Sequence, residues 1–547
     1  MRSSAPRRRA GGHDHRHRPH PRRRDAVPIG VTSPSSWAAV VERRASTDAD
    51  GEIIRRVGEA GISAGALLER AVDVAGALKA LVAPGEVVAT AIPSGPTAAA
   101  TTTALSWLGA VELPLPTGLD RDVADRLAAA ANCVLCVATP IRLTIEPHLA
   151  RLGGHPSKPA VTVDGAWEGL PAIDELTGPR PSRHRSSAGD AAAVMVTSGT
   201  GGRPKGALLS NGVGLGQAAR VLRAMEYDTS DVLLNVFPWQ HVNARHAAFL
   251  PAVMSGARLV VDDFSARRFW QTAAQEQVTA FNFMGAVCAI LLRQPPADRD
   301  RDHRARRAYG GPAPAWMWTA MSERFGVELR QAYACTELGD VATTGARVVP
   351  GAAGRVVPEY AARILGEDGL LVGDGATGSL EVRPLQPNLT FTRYIGDPET
   401  TRAAWHDDWF VTGDRARLSE GWLYYDGRMT DTIRRRGLTV DAEHVEWVAS
   451  AHPDVHDVAA IGVPSELTED EVLLVVVPRE GSVISPEALR KHCADRLSRH
   501  AVPRYISVES TVPRTASMKI DRRSLRDRGL PPGAWDAETC HATEEIA

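Results

Sequence analysis

Apolar residues recur every three to four positions through 65-GALLERAVDVAGALKAL-81, the spacing of one buried helix face. Short uninterrupted apolar runs follow at 86-EVVATAI-92, 133-CVLCVAT-139 and 191-AAAVMV-196. Runs without alternation, interleaved with helical stretches, predict an α/β fold whose sheet is buried on both faces. A further helix-and-strand pattern covers 246–290, and 373–426 is strand-rich with turn residues between the strands. After about 427 the texture becomes that of a compact α+β unit, with a helix near 443–451, strands at 456–463 and 472–478, and a helix at 486–498. The pattern therefore predicts a large N-terminal domain of stacked sheets and helices over 31–426 and a small C-terminal domain over 427–530. Residues 531–547 read as a loose tail, and residues 1–30, rich in Arg, His, Pro and Gly without apolar periodicity, as a disordered basic extension.

Composition narrows this picture. Of 547 residues, 44% are hydrophobic and 23% charged, enough for a sizeable core. No run of about 18 apolar residues reads as a membrane span. Six cysteines in so long a chain make no disulfide framework, so a reducing cytoplasm is expected. Cys133 and Cys136 form a lone C-x-x-C inside a strand and read as core thiols. The formal charge of −2 hides a basic extension, with nine arginines against Asp14 and Asp25, and an acidic remainder. Arginine clusters attract phosphate, but this one reads as a solvated tail, and nucleic acid is not expected as a partner. Of 63 basic residues only five are lysine: Lys79, Lys158, Lys205, Lys491 and Lys519.

The strongest local signal is 197-TSGTGGRPKG-206, directly after an apolar strand. Its hydroxyls, glycines and Lys205 suit a phosphate held by backbone N–H groups, side-chain hydroxyls and one cation. A nucleoside-triphosphatase P-loop is excluded. Pro204 lacks an N–H where that loop needs one, and Gly206 offers magnesium no hydroxyl.

The same loop resembles the phosphate signature of the AMP-forming acyl-CoA synthetase (adenylate-forming) superfamily, and four further segments resemble its motifs in order. They are 333-YACTE-337; 412-TGD-414, after 405-WHDDWF-410; 427-GRMTDTIRRRGLTVDAEHVE-446; and 513-PRTASMKIDRRSL-525. The middle of the chain, at 237-FPWQHVNARHAAFL-250, 264-FSARRFW-270 and 284-MGAVCAILLRQPP-296, looks most like crotonobetaine/carnitine-CoA ligases. The resemblance implies a mobile C-terminal lid and an ATP-dependent reaction in which a carboxylate attacks the α-phosphorus. It assigns Lys519 a place between carboxylate and α-phosphate, Thr336 a hydrogen bond to that phosphate, and Glu337 with Thr200 a part in holding Mg²⁺. Thr197, Ser198, Gly199, Thr200, Gly201, Gly202 and Lys205 would cradle the outer phosphates. Gly310, Gly311 and Tyr333 would border the nucleotide, and Asp414 and Arg428 would meet the ribose. His241 would lie near the reacting carboxylate. Two of only five lysines, Lys205 and Lys519, stand at the family's functional lysine positions, where a compact ammonium is poorly replaced by arginine.

Several positions depart from the pattern. Gly201 removes a loop hydroxyl, Ala334-Cys335 stands where glycine is common, Met518 precedes Lys519, and Thr430 occupies a hinge position often filled by Asp. Arg436-Gly437 replaces a Gly-Gly pair beside the coenzyme A pantetheine channel. Around His241, the residues Trp239, Arg245 and His246 suggest a small polar or aromatic acid, although Arg245 could equally face solvent on a helix. The implied partners are ATP, Mg²⁺, a small carboxylic acid and coenzyme A. Because some relatives in actinobacterial secondary metabolism are ATP-dependent diazotases, the alternative is nitrite plus an aryl amine.

Overall fold

The computed structural model describes residues 34–541, except 153–159, 168, 177, 198–203, 348, 430–431, 436–437, 466–468 and 515–519. The expected extension 1–30 lies outside the described residues.

The apolar run at 86–92 forms the strand Val87–Ala91, buried along its whole length. It pairs in parallel with Val111–Pro114 and Cys133–Ala138, inside a seven-stranded sheet that runs on to Ala191–Thr197 and Lys205–Ser210. A second sheet of 14 strands has a parallel half built from Glu52–Arg56, Arg258–Val261, Val232–Asn235, Ala280–Phe283, Arg307–Gly310 and Glu328–Cys335. Its antiparallel half includes the long strands Trp409–Ser419 and Trp422–Arg428 and ends at Tyr360–Leu365.

Successive side chains of a strand point to opposite faces, so each sheet must be covered twice. Val88, Leu135 and Val137 of the first sheet share one core with Ile53, Leu233 and Leu259 of the second. Between them lie the helices Ala64–Leu78, Pro96–Leu108 and Asn211–Met225. The outer face of the first sheet packs on the helix Arg121–Ala130, and that of the second on Phe269–Gln275, Gly285–Leu292 and Ala315–Phe325. The order of layers is thus helix, sheet, helix, sheet, helix. Pro96–Leu108 is buried from Ala98 to Leu105 and again at Trp107 and Leu108, as befits a helix of the middle layer. Cys133 and Cys136 are buried thiols, and burial pushes both up from their ordinary pKa.

The smaller C-terminal domain holds the helix Ala442–Ser450 over a sheet of Val455–Pro464, Asp470–Pro478, Tyr505–Val508 and Trp535–Asp536. The helix expected over 486–498 stops at Ala494, starting from a Ser485 cap with Pro486 in its first turn. The expected loose tail is corrected over part of its length. Trp535–Asp536 adds a strand to Tyr505–Val508, Trp535 Nε1 donates to Glu487 (2.8 Å), and Arg504 pairs with Asp536 (3.1 Å). The pattern of 531–541 is too short to signal a strand, and the partners that hold it are distant in sequence. No described helix is long and apolar enough to cross a membrane.

Candidate functional site

Parallel strands leave a crevice at their C-terminal ends where ligands settle, and several of the expected site residues stand at that edge. His241 follows Val232–Asn235, Gly310 ends its strand with Gly311 next, and Tyr333 sits near the end of Glu328–Cys335. Thr336 and Glu337 form the turn into Gly339–Thr343, with Cys335 opposite Gly339. A Cβ on Gly310 would stand 1.8 Å from the Phe283 carbonyl oxygen, and one on Gly311 2.9 Å from that of Ala332. Both glycines therefore permit the close approach of neighbouring strands at this edge.

Two clusters form here. In the first, Thr197 and Lys205 face each other across the antiparallel strands that flank the glycine-rich loop. Lys205 Nζ lies 5.0 Å from the ring centre of Tyr394, whose hydroxyl donates to Glu337 Oε1 at 2.7 Å. Tyr394 thus joins the loop lysine to the carboxylate. Burial, and then Glu337, push its phenol far above the ordinary value, so it remains a donor. Sequence reasoning missed Tyr394, which stands in a two-residue strand, Arg393–Tyr394, paired to Lys205–Ser210. Its only signal was an aromatic residue close to 396-GDPE-399.

In the second cluster, Asp414 and Arg428 are cross-strand neighbours of the large sheet, with Arg428 Nε 2.9 Å from Asp414 Oδ1. Tyr333 donates to the other carboxylate oxygen at 2.5 Å. Burial opposes the charge on Arg428, but Asp414, with Tyr425 and Tyr333, holds its pKa above the ordinary value. The T-G-D and G-R segments, 14 positions apart from Asp414 to Arg428, are thereby brought into register on adjacent strands.

His241 caps the short helix Val242–Ala244, its Nδ1 accepting from Asn243 N at 3.2 Å. Two of its expected companions turn away. Trp239 is buried and donates to Thr102 (3.0 Å), and Arg245, only 2% exposed, pairs with Glu112 at 2.7 Å beneath the rings of Trp37 and Trp239. The reading of Arg245 as solvent-facing is corrected as well. The reason is a π-helical turn, Arg245–Phe249, closed by Leu250 N on Arg245 O, which alters the facing of side chains relative to an α-helix. His246 is buried too, and its pKa falls to about 3, through burial first and then Arg245, His241 and Arg220.

Ser198, Gly199, Thr200, Gly201, Gly202, Thr430, Arg436, Gly437 and Lys519 lie outside the described residues. Among the described residues, no group of three or more His, Cys, Asp or Glu could hold a metal unaided. A single carboxylate such as Glu337 still fits Mg²⁺, which usually shares one or two carboxylates with substrate phosphates.

A lysine–tyrosine–carboxylate cluster and an Asp–Arg–Tyr cluster, both joined to the strand Glu328–Cys335 and the turn after it, suit a nucleotide-binding enzyme scaffold. The AMP-binding enzyme family profile matches residues 41–390, and its C-terminal domain profile residues 444–519. The chain belongs to this adenylate-forming family. It is 31% identical to a sulfoacetate–CoA ligase of Cupriavidus necator over 65% of this chain and 70% of that one. It is 28% identical to a crotonobetaine/carnitine–CoA ligase of Escherichia coli over 77% and 84% of the two chains. The fold matches an anthranilate CoA ligase solved with anthranoyl-AMP, at a TM-score of 0.80 and 20% identity, over 90% of this chain and 97% of that one.

Proposed function

We propose that the protein is an acid–CoA ligase of cytoplasmic location that activates a small polar carboxylic acid as its adenylate. The observation that carries this reading is that Lys205, Tyr394 and Glu337 contact one another in series, and Tyr333, Asp414 and Arg428 likewise, with Tyr333 and Glu337 only four positions apart on one strand and its following turn. An acid oxygen attacks the α-phosphorus, the bond to the β-phosphate oxygen breaks, and pyrophosphate leaves. The thiolate of coenzyme A then attacks the acyl carbon and AMP departs. Both reactants of the first step are anions, so cations and oriented donors must screen their repulsion. Lys205 meets the outer phosphates, Lys519 the α-phosphate and carboxylate, Thr336 the α-phosphate, and Asp414 with Arg428 the ribose. Glu337, steadied by Tyr394, would hold Mg²⁺, which supplies neutralisation of phosphate charge when bound. The names of the relatives, which act on sulfoacetate, carnitine and anthranilate, support a small acid bearing a second polar group. The free thiols Cys133, Cys136, Cys288, Cys335 and Cys493 suit a reducing compartment.

Exchange of labelled pyrophosphate into ATP, dependent on one acid of a broad panel, is the expected result. No exchange with any acid would refute the reading. The departure at Arg436 favours a second possibility, activation of nitrite for transfer to an aryl amine. AMP release that requires nitrite and amine and ignores coenzyme A would select it.

A further inference from the structure

Two fully buried asparagines, Asn235 and Asn282, tie down the segment that carries His241. They belong to the paired parallel strands Val232–Asn235 and Ala280–Phe283. Asn235 Nδ2 donates to the Phe237 carbonyl at 2.7 Å, where the chain leaves its strand. Asn282, in register with Tyr309 one position before Gly310, sends Nδ2 to two acceptors, Asn243 Oδ1 at 2.7 Å and the Ala247 carbonyl at 3.1 Å. Asn243 in turn donates its backbone N–H to His241 Nδ1 at 3.2 Å. One amide thus reaches the imidazole through a single residue, and it also holds the π-helical turn Arg245–Phe249 that contains Ala247. The Ala247 oxygen can only accept, so the NH2 of Asn282 must face it, which fixes the orientation of the amide.

A backbone N–H at Nδ1 leaves the proton of a neutral imidazole on Nε2, at the far side of the ring. His241 is then a donor there, which suits a ring beside an anion. The oxygen of Asn282 meets no hydrogen-bond partner among the described residues. A fully buried amide with an unmet oxygen is costly, and a native structure that keeps one needs a reason. We propose that Asn282 is a positioning residue for adenylation: through Asn243 it sets the ring and tautomer of His241, so that Nε2–H is presented to the carboxylate of the acid. The proposal rests on the ligase reading, which sets His241 beside that carboxylate.

The test measures acid-dependent exchange of pyrophosphate into ATP by the full chain, with and without Asn282→Ala, each with His241 intact and in a His241→Ala background. With His241 intact, Asn282→Ala should lower kcat about tenfold, the scale of one hydrogen bond, and leave the KM for ATP within about twofold. In the His241→Ala background the same substitution should change kcat by less than about twofold, because residues that act in series are not additive. An equal loss in both backgrounds, or no loss with His241 intact, overturns the proposal while the ligase reading stands. The second readout is magnetic resonance of protein labelled at the histidine ring nitrogens. The signal missing from His241→Ala should show Nε2 protonated and Nδ1 bare at alkaline pH, and should lose that preference in Asn282→Ala. A signal that Asn282→Ala leaves unchanged overturns the proposal even where exchange falls. Asn243→Ala, which removes the acceptor of Asn282 at a half-buried position, replaces Asn282→Ala if that variant does not fold. No exchange with any acid would instead remove the ligase reading. The nitrogen signal then decides alone whether Asn282 sets His241, as it does where His241→Ala abolishes exchange.

Discussion

Tyr394 shows how one side chain links two groups of the candidate site, because it offers its ring face to Lys205 and its hydroxyl to Glu337. Tyr394→Phe keeps the ring and removes the hydrogen bond, so the Mg²⁺ needed for half-maximal AMP release should rise about tenfold, with the melting temperature little changed. An unchanged Mg²⁺ titration would show that Glu337 needs no such support. Lys519→Ala should lower adenylation by at least about a hundredfold while ATP still binds calorimetrically. His246 gives a pH prediction with a definite sign. Its folded pKa, near 3, lies below the ordinary 6.5, so the unfolded chain takes up a proton that the folded chain refuses. The resulting stability is complete above about 6.5 and is lost as pH falls toward 3. Urea midpoints should drop between pH 7 and 5 by more in the wild type than in His246→Gln. Lys205 stands out in the sequence because lysine is scarce in this chain, whereas Tyr394 does not, because its contacts are with residues far away in sequence.

Among the elements, the strands were read well where apolar residues run without interruption, as at Val87–Ala91 and Cys133–Ala138. The π-helical turn at Arg245–Phe249 escaped notice, and with it the destination of Arg245. Helical spacing takes a lone arginine to water, and the partner that draws it inward, Glu112, is 133 positions away on the strand Val111–Pro114. The pair is only 3% exposed on both sides and further held by Thr90 and Thr102. Arg245→Met should therefore cost about 3–5 kcal/mol by denaturant titration, since it strands a buried carboxylate. Replacing both partners by apolar residues should recover most of that loss. A single substitution costing under about 1 kcal/mol would mean that the pair is not buried as described.

At the scale of the molecule, the two domains meet through Trp316, from the helix Ala315–Phe325, stacked on Trp447 of Ala442–Ser450 at 4.0 Å between ring centres. Arg434 pairs with Glu367 across the same boundary. Such a stack contributes about 0.5–1.5 kcal/mol to the contact between the domains. Trp316→Ala should raise the rate of limited proteolysis between the domains several-fold and alter tryptophan emission, and an unchanged rate would release the stack from this role. The helix Ala442–Ser450 and the strand Asp470–Pro478 of the small domain were visible in the sequence as apolar patterns. The docking of Trp535 on the small domain was not, since two residues carry no periodicity. The central claim is that these surfaces assemble an enzyme that converts an acid to its adenylate and passes it to coenzyme A. Its most direct test is simultaneous measurement of AMP and acyl-CoA from ATP, Mg²⁺ and a panel of small acids, with and without coenzyme A. The account predicts one acid that gives AMP and acyl-CoA in equal amounts, with turnover dependent on the thiol. AMP formed at the same rate without coenzyme A, or none with any acid, would contradict it.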